Sequence, residues 1–250
     1  MLLPEKIAIV YGGGGSIGGA VARAFAREAA RVYLAGRTQA NLDRVADQIR
    51  SAGGVAETAL LDALDPEAVD RHADAVAAEA GGIDISFNLI SHGDVQGTPM
   101  AEMNVEDYVR PVETAVRTTF ITARAAARHM IPKRSGVILM FGGEGDPPRG
   151  YNLGGLQTAF HAMEAMRRQL ATELGPHGVR TVTLRSGGVP ESIGDEEQRA
   201  AIADSIEGAS LLGRAATLDD VGNVAAFVAS DEARTMTAAT VNVSSGALLD

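Results

Sequence analysis

The stretch YGGGGSIGG, residues 11–19, follows a short apolar run and opens an amphipathic one. Glycines in that setting permit a tight turn and let backbone N–H groups close on a pyrophosphate. A helix starting there adds partial positive charge for the anion. Gly12, Gly14, Gly15 and Gly18 would form the cradle, with Ile17 at the helix entry. Ser16 either caps the helix or gives its hydroxyl to a phosphate. About twenty residues further on, a ribose-binding carboxylate usually marks NAD specificity. Here the chain reads Gly36-Arg37-Thr38, with no carboxylate before Asp43. A guanidinium there can pair with a 2′-phosphate, and the missing carboxylate removes a repulsion. NADP(H) is therefore favoured over NAD(H).

Other groups could move a proton. His92 carries an imidazole that titrates near neutrality. Glu144, Asp146, Arg149 and Tyr151 lie in FGGEGDPPRGY, residues 141–151, and Arg185 and Glu191 follow a later apolar run. Each also has a plain reading, as a satisfied loop histidine, solvated turn carboxylates or a tyrosine covering apolar surface. His161 neighbours Phe160 but points about 100° away around a helix, so it is left aside.

Composition narrows the field. The 250 residues carry a net charge of −10 and no cysteine, which excludes disulfides, thiolate metal sites and cysteine nucleophiles. No metal site is expected. Basic residues do not cluster, so neither nucleic acid nor an anionic membrane is an expected partner. No apolar run approaches the roughly 18–20 residues of a membrane span, and the N-terminus does not read as a secretory signal. A cytoplasmic protein is expected. Only two lysines occur, Lys6 and Lys133.

Several elements must position these groups. Apolar strands are expected at 7–10, 32–35, 55–61, 84–87, 137–141, 179–184 and 240–243. Helical spacing covers 17–30, 41–52, 66–79, 105–131, 156–174 and 218–230, with Pro111 as a kink or first-turn residue. Leu156, Phe160, Met163, Leu170 and Leu174 mark the apolar stripe of the 156–174 helix. Apolar strands alternating with helices predict an α/β fold: one Rossmann-type doubly wound domain over 1–250, seven mainly parallel strands, helices on both faces. Ligands in such sheets bind beyond the carboxyl ends of the strands. The loops at 11–18, 36–38, 62–63, 88–97, 141–155 and 185–208 should converge on one cleft, with 185–208 as the substrate loop.

The chain resembles the short-chain dehydrogenase/reductase family almost end to end. YGGGGSIG is similar to the family's TGxxxGIG loop, with Tyr11 for Thr. LLDALD (60–65) resembles the adenine-contacting segment, and DISFNLISHG (84–93) the strand carrying NNAG, of which Asn88 survives. RTVTLRSGGVPES (180–192), GRAATLDDVGNVAAFVASD (213–231) and MTAATVNVSSG (236–246) resemble the closing segments. The resemblance implies a nicotinamide cofactor and a homodimer or homotetramer. It adds Thr38, Asp62, Ala63, Asn88, Ile90, Gly187 and Val189 to the cofactor contacts. It places His92, Gly143, Glu144, Tyr151 and Leu156 around a small-molecule substrate.

The family's chemistry uses an Asn, a Ser, a Tyr and a Lys. Counting back from LATEL at 170–174, similar to the family's LAxEL, puts Phe160 at the Lys position, Leu156 at the Tyr position and Gly143 at the Ser position. Ala115 falls at the Asn position. The expected tetrad is absent, and neither lysine lies on the relevant helix. Three functions follow: an atypical NADP(H)-dependent oxidoreductase for a small carbonyl, hydroxyl or enone substrate, with His92 or Tyr151 as proton donor; an inactive NADP(H)-binding sensor or partner subunit; or a dehydratase or isomerase using the same cleft.

Overall fold

The computed structural model describes residues 1–145 and 151–249. Seven strands form one sheet in the order β3-β2-β1-β4-β5-β6-β7. They are β1 (Ile7–Tyr11), β2 (Arg31–Gly36), β3 (Val55–Leu60), β4 (Ile85–Asn88), β5 (Gly136–Gly142), β6 (Val179–Arg185) and β7 (Ala239–Asn242). All six pairings are parallel. Helices cover both faces, because strands buried on two sides need apolar cover on each. They are α1 (Ser16–Arg27), α2 (Gln39–Ser51), α3 (Pro66–Ala80), α4 (Val105–Lys133), α5 (Leu156–Leu174), α6 (Glu196–Ala209) and α7 (Leu218–Ala229).

One core lies between the sheet and α1, α2 and α7, with Val10, Phe25, Leu34, Val45, Leu139 and Val221 fully or almost fully buried. The other lies under α3, α4 and α5, around Tyr11, Val69, Ala115, Met130, Met140 and Met163. The strand order reverses between β1 and β4, and register aligns Tyr11 with Asn88 and Asn88 with Met140. That reversal is where a doubly wound sheet opens a crevice.

Three expectations need correction. Ser16 does not cap α1: Gly15 is the N-cap, with no side-chain cap hydrogen bond, and Ser16 is the first helical residue. Pro111 lies in the second turn of α4, whose first turn is capped by the Asn104 side chain accepting from Asp107 N. Residues 185–208 are not a plain loop. They contain a 3₁₀ turn at Pro190–Ser192 and most of α6, none of whose residues is fully buried. With apolar side chains confined to Ile202, Ile206 and alanines, α6 lacked a stripe strong enough to register as a helix.

Candidate functional site

The glycine loop is a built cradle. Gly12 sits at φ +76°, and a Cβ there would come 2.4 Å from the Leu89 carbonyl oxygen. A Cβ on Gly18 would lie 2.1 Å from the Gly12 oxygen, so only glycine allows the loop to fold back onto α1. Gly14 packs against Asn41, and Arg44 donates to the Gly14 carbonyl at 3.2 Å. A cleft of about 320 Å³ opens here. Gly12, Gly14, Gly15, Arg37, Thr38, Asp62, Ala63 and Ile90 line it, so the structure gathers eight of the expected cofactor residues on one wall. Thr114 and Thr118 of α4 also line it, and sequence reading missed both. The signal was present: they stand four apart on one helix face.

Asn88 is buried and orders the floor. Its Nδ2 donates to Thr118 Oγ1 at 3.1 Å and Thr119 Oγ1 at 3.2 Å, and its Oδ1 accepts from Ile90 N. Arg37 is exposed and makes no ion pair among the described residues. Asp43, the first carboxylate after it, is engaged by Gln39 Nε2 at 2.7 Å. Asp62 Oδ1 accepts from Leu64 N, which fixes the turn after β3. Ser16 and Ile17 start the helix beside the cleft without lining it.

The remaining candidates form a second group beyond β5 and β6, outside that cleft. A Cβ on Gly143 would lie 3.0 Å from Phe160 Cε2 and 3.1 Å from the Ser186 oxygen. Phe160 thus fills the space above Gly143. The His92 ring meets it edge-on, with centroids 5.9 Å apart. Burial pushes the His92 imidazole below its usual pKa, against a smaller upward effect of Asp94. Leu156 opens α5 and is half-buried. Gln157 Nε2 donates to the Gly143 carbonyl. Tyr151 donates to Gln96 Oε1 at 2.9 Å and stands 39% exposed, so it bridges two rim segments. Gly187 packs on Ala247 and Leu248, and Val189 is buried before the 3₁₀ turn. Glu191 is drawn off to α7, where its Oε2 accepts from Leu218 N. Asp146 and Arg149 lie outside the described residues. Ala115 is fully buried in the core and does not line that cleft.

Beneath α5 the expected apolar stripe is in place, with Met163 and Leu174 buried and Phe160 and Leu170 packed on the core, and two charges lie beside it. Glu164 and Arg167 are buried and joined at 2.9 Å and 2.7 Å, and Glu164 also accepts from Thr183 and Thr240. Glu144 points toward the same crevice. Burial raises its pKa, as does the neighbouring Glu164, against Arg185 and His161.

The glycine cradle, uncluttered Arg37 and the adjoining cleft fit a dinucleotide phosphate. A family model described as enoyl-(acyl carrier protein) reductase matches residues 13–247. The chain belongs to the short-chain dehydrogenase/reductase family. It is 30% identical over 250 residues to the short-chain reductase protein NovJ of Streptomyces niveus, covering 97% of this chain and 94% of that protein. It is 29% identical to L-rhamnose 1-dehydrogenase (NAD(P)(+)) of Azotobacter vinelandii, with 98% of both chains covered. The crystal structure of a short-chain type dehydrogenase/reductase from Mycobacterium marinum superposes with a TM-score of 0.86 at 26% identity, covering 99% of this chain and 97% of that one. The fold is thus the single-domain Rossmann-type fold of that family. Among the described residues, no helix is long and apolar enough to cross a membrane, and no cluster of three His, Cys, Asp or Glu could hold a metal ion.

Proposed function

We propose that this protein is an NADP(H)-dependent oxidoreductase for a small carbonyl, hydroxyl or enone substrate, working without the family's Asn-Ser-Tyr-Lys set. One observation carries the reading: an intact glycine cradle opens on a cleft that also holds Arg37, the residue where a carboxylate would mark NAD specificity. When bound, a nicotinamide would supply hydride; this chain's own residues would bind and orient it and handle the proton. The turn through Gly12, Gly14, Gly15 and Gly18 would let a pyrophosphate approach the N-terminal end of α1, which Ser16 and Ile17 begin. Arg37 and Thr38 take the 2′-phosphate. Asp62, Ala63, Asn88 and Ile90 border the adenosine and ribose, and Gly187 and Val189 the far end. The substrate rests between His92, Gly143, Glu144, Tyr151 and Leu156, under the segment 185–208.

The contact of Phe160 with Gly143 supports a replaced tetrad. A Ser at 143 would press on the Phe160 ring, so this packing suits a glycine there. Residence in the cytoplasm and assembly as a homodimer or homotetramer accompany the proposal. A non-catalytic NADP(H)-binding subunit is the second reading, favoured by the apolar Leu156–Phe160 floor. The dehydratase or isomerase reading would use Glu144, Asp146 or His92 as base.

Titration with NADPH and NADH tests the proposal. The chain has no Trp, so dihydronicotinamide fluorescence can be followed with little protein background. NADPH should bind at least about tenfold more tightly than NADH, the equivalent of one charge-assisted contact. Equal affinities would remove the role of Arg37, and no binding of either would remove the cofactor. Consumption of NADPH with a carbonyl probe separates the enzyme from the sensor.

A further inference from the structure

The glycine cleft lies beyond the carboxyl ends of the strands. A second cavity, of about 140 Å³, lies at their amino ends. Lys6, Asp84 and Ser135 line it from just before β1, β4 and β5, and Arg180 from the start of β6. Asp231 and Arg234 line it from the 3₁₀ turn that follows α7. The strands run parallel, so these strand-end positions share one edge of the sheet.

The charges at this edge do not balance. Lys6 Nζ pairs with Asp231 at 3.1 Å. Asp84 is satisfied twice, by Lys133 Nζ at 2.6 Å and by the Ile7 N–H at 2.9 Å. These two pairs cancel. Arg180 and Arg234 remain without a carboxylate in contact, a local surplus of positive charge in a chain whose net charge is −10. Arg180 also caps the end of α7: its Nη1 donates to the Met236 carbonyl and its Nη2 to the Val228 and Ser230 carbonyls. An arginine has five N–H donors, so these bonds leave it capacity for another acceptor. Burial works against its charge, and Asp231 offsets that only in part. The Arg234 side chain is exposed, with no hydrogen bond or ion pair among the described residues, and the Ser135 hydroxyl has no partner among them either.

Guanidinium groups recognise oxyanions through paired, charge-assisted N–H bonds. A cavity of this size has the room of about four or five liquid waters, which suits an ion such as phosphate. The donors approach from two strand ends and a separate turn. That spread matches oxygens set tetrahedrally better than a single flat carboxylate.

We propose that this cavity binds a small, free tetrahedral oxyanion between Arg180 and Arg234, with the Ser135 hydroxyl as a neutral donor. The bound anion ties the amino ends of β5 and β6 to the turn after α7 and so stabilises the folded chain. The site is separate from the glycine cradle and does not depend on the oxidoreductase reading.

The test uses full-length protein and inorganic phosphate at constant ionic strength, with chloride as the balancing anion. Calorimetric titration of wild type should give a Kd of about 1 mM or lower. Arg234 carries the test, because it is exposed and unpaired, whereas Arg180 also holds the end of α7. Arg234→Ala should weaken phosphate at least about tenfold, the loss of one charged hydrogen bond, and Arg234→Lys should recover part of it. Arg37→Ala, at the opposite end of the sheet, should leave phosphate binding unchanged. At ten times Kd the Tm of wild type should rise by about 3–6 °C, and that of Arg234→Ala by about 1 °C at the same concentration. Acetate should bind at least about tenfold more weakly than phosphate. Absence of phosphate binding, or binding and a Tm rise that Arg234→Ala leaves intact, overturns the proposal. So does binding lost in Arg37→Ala, which would place the ion on the glycine cradle. Acetate binding as tight as phosphate overturns the assignment of a tetrahedral ion.

Discussion

At the scale of single residues, the cofactor wall is specified by what each position forbids as much as by what it offers. Gly12 at φ +76° faces the Leu89 carbonyl, so Gly12→Ala combines left-handed strain with a backbone clash. The cost should be about 1–3 kcal/mol of stability, seen as a lower Tm, together with loss of NADPH binding. Arg37 tests selectivity without touching the fold, because it is exposed and unpaired among the described residues. A charged hydrogen bond is worth about 1.5–3 kcal/mol, or roughly 10–100-fold in affinity. Arg37→Ala should therefore weaken NADPH by that factor and leave NADH unchanged; equal losses for both would make Arg37 a structural residue. These groups were legible in the sequence because they act through backbone geometry and charge at fixed offsets from strand ends. Side-chain packing was not legible in that way. That Phe160 fills the space above Gly143, and that Tyr151 turns to Gln96, depends on rotamers which no spacing encodes.

At the scale of elements, α5 buries more than its sequence pattern showed. Beside the apolar Met163 and Leu174 its inward face also buries two opposite charges, Glu164 and Arg167. The strands were plain because burial on both faces leaves long apolar runs, and their ends shifted by at most one residue. Glu164 and Arg167 escaped notice because periodicity counts apolar side chains, and a buried ion pair subtracts from that count. Helix α6 escaped for the reverse reason: it has few apolar residues and packs loosely. Burial alone would raise the Glu164 pKa, but hydrogen bonds from Arg167 and Thr183 and the Arg167 charge outweigh it and hold it low. Removing one partner leaves the other charge buried and bare, at about 3–5 kcal/mol. Arg167→Met should thus lower stability in urea titration far more than the double change Glu164→Leu with Arg167→Met. A double variant as unstable as the single one would show that the loss comes from packing of the arginine stem.

At the scale of the whole molecule, the sign of each displaced pKa decides how stability follows pH. His72 of α3 packs edge-on against the buried Tyr11 ring, 6.3 Å between centroids, and its Nδ1 has no partner. Burial lowers its pKa from 6.5 to about 4. Between those values the unfolded chain binds a proton that the folded chain refuses, so stability falls as pH drops through that window. The loss is on the order of 2–3 kcal/mol once relaxation is allowed for. His92 acts in the same sense. Glu144 acts in the opposite one, because a carboxyl raised in the folded state gains stability as pH falls toward its unfolded value. Glu164 and Asp220, both held low, contribute stability present above their unfolded pKa and lost as pH falls through their folded ones. Acid unfolding should therefore run in two stages: a shallow decline that starts near pH 6.5 and belongs mainly to histidine, then a steeper one belonging to the paired carboxylates. His72→Phe keeps the edge-on contact with Tyr11 and removes the titration. Denaturant-derived stability of that variant should be flatter from pH 6.5 to 4 than wild type, with the lower stage unchanged. An unaltered upper slope would place the early decline on His92, and His92→Phe would then flatten it instead.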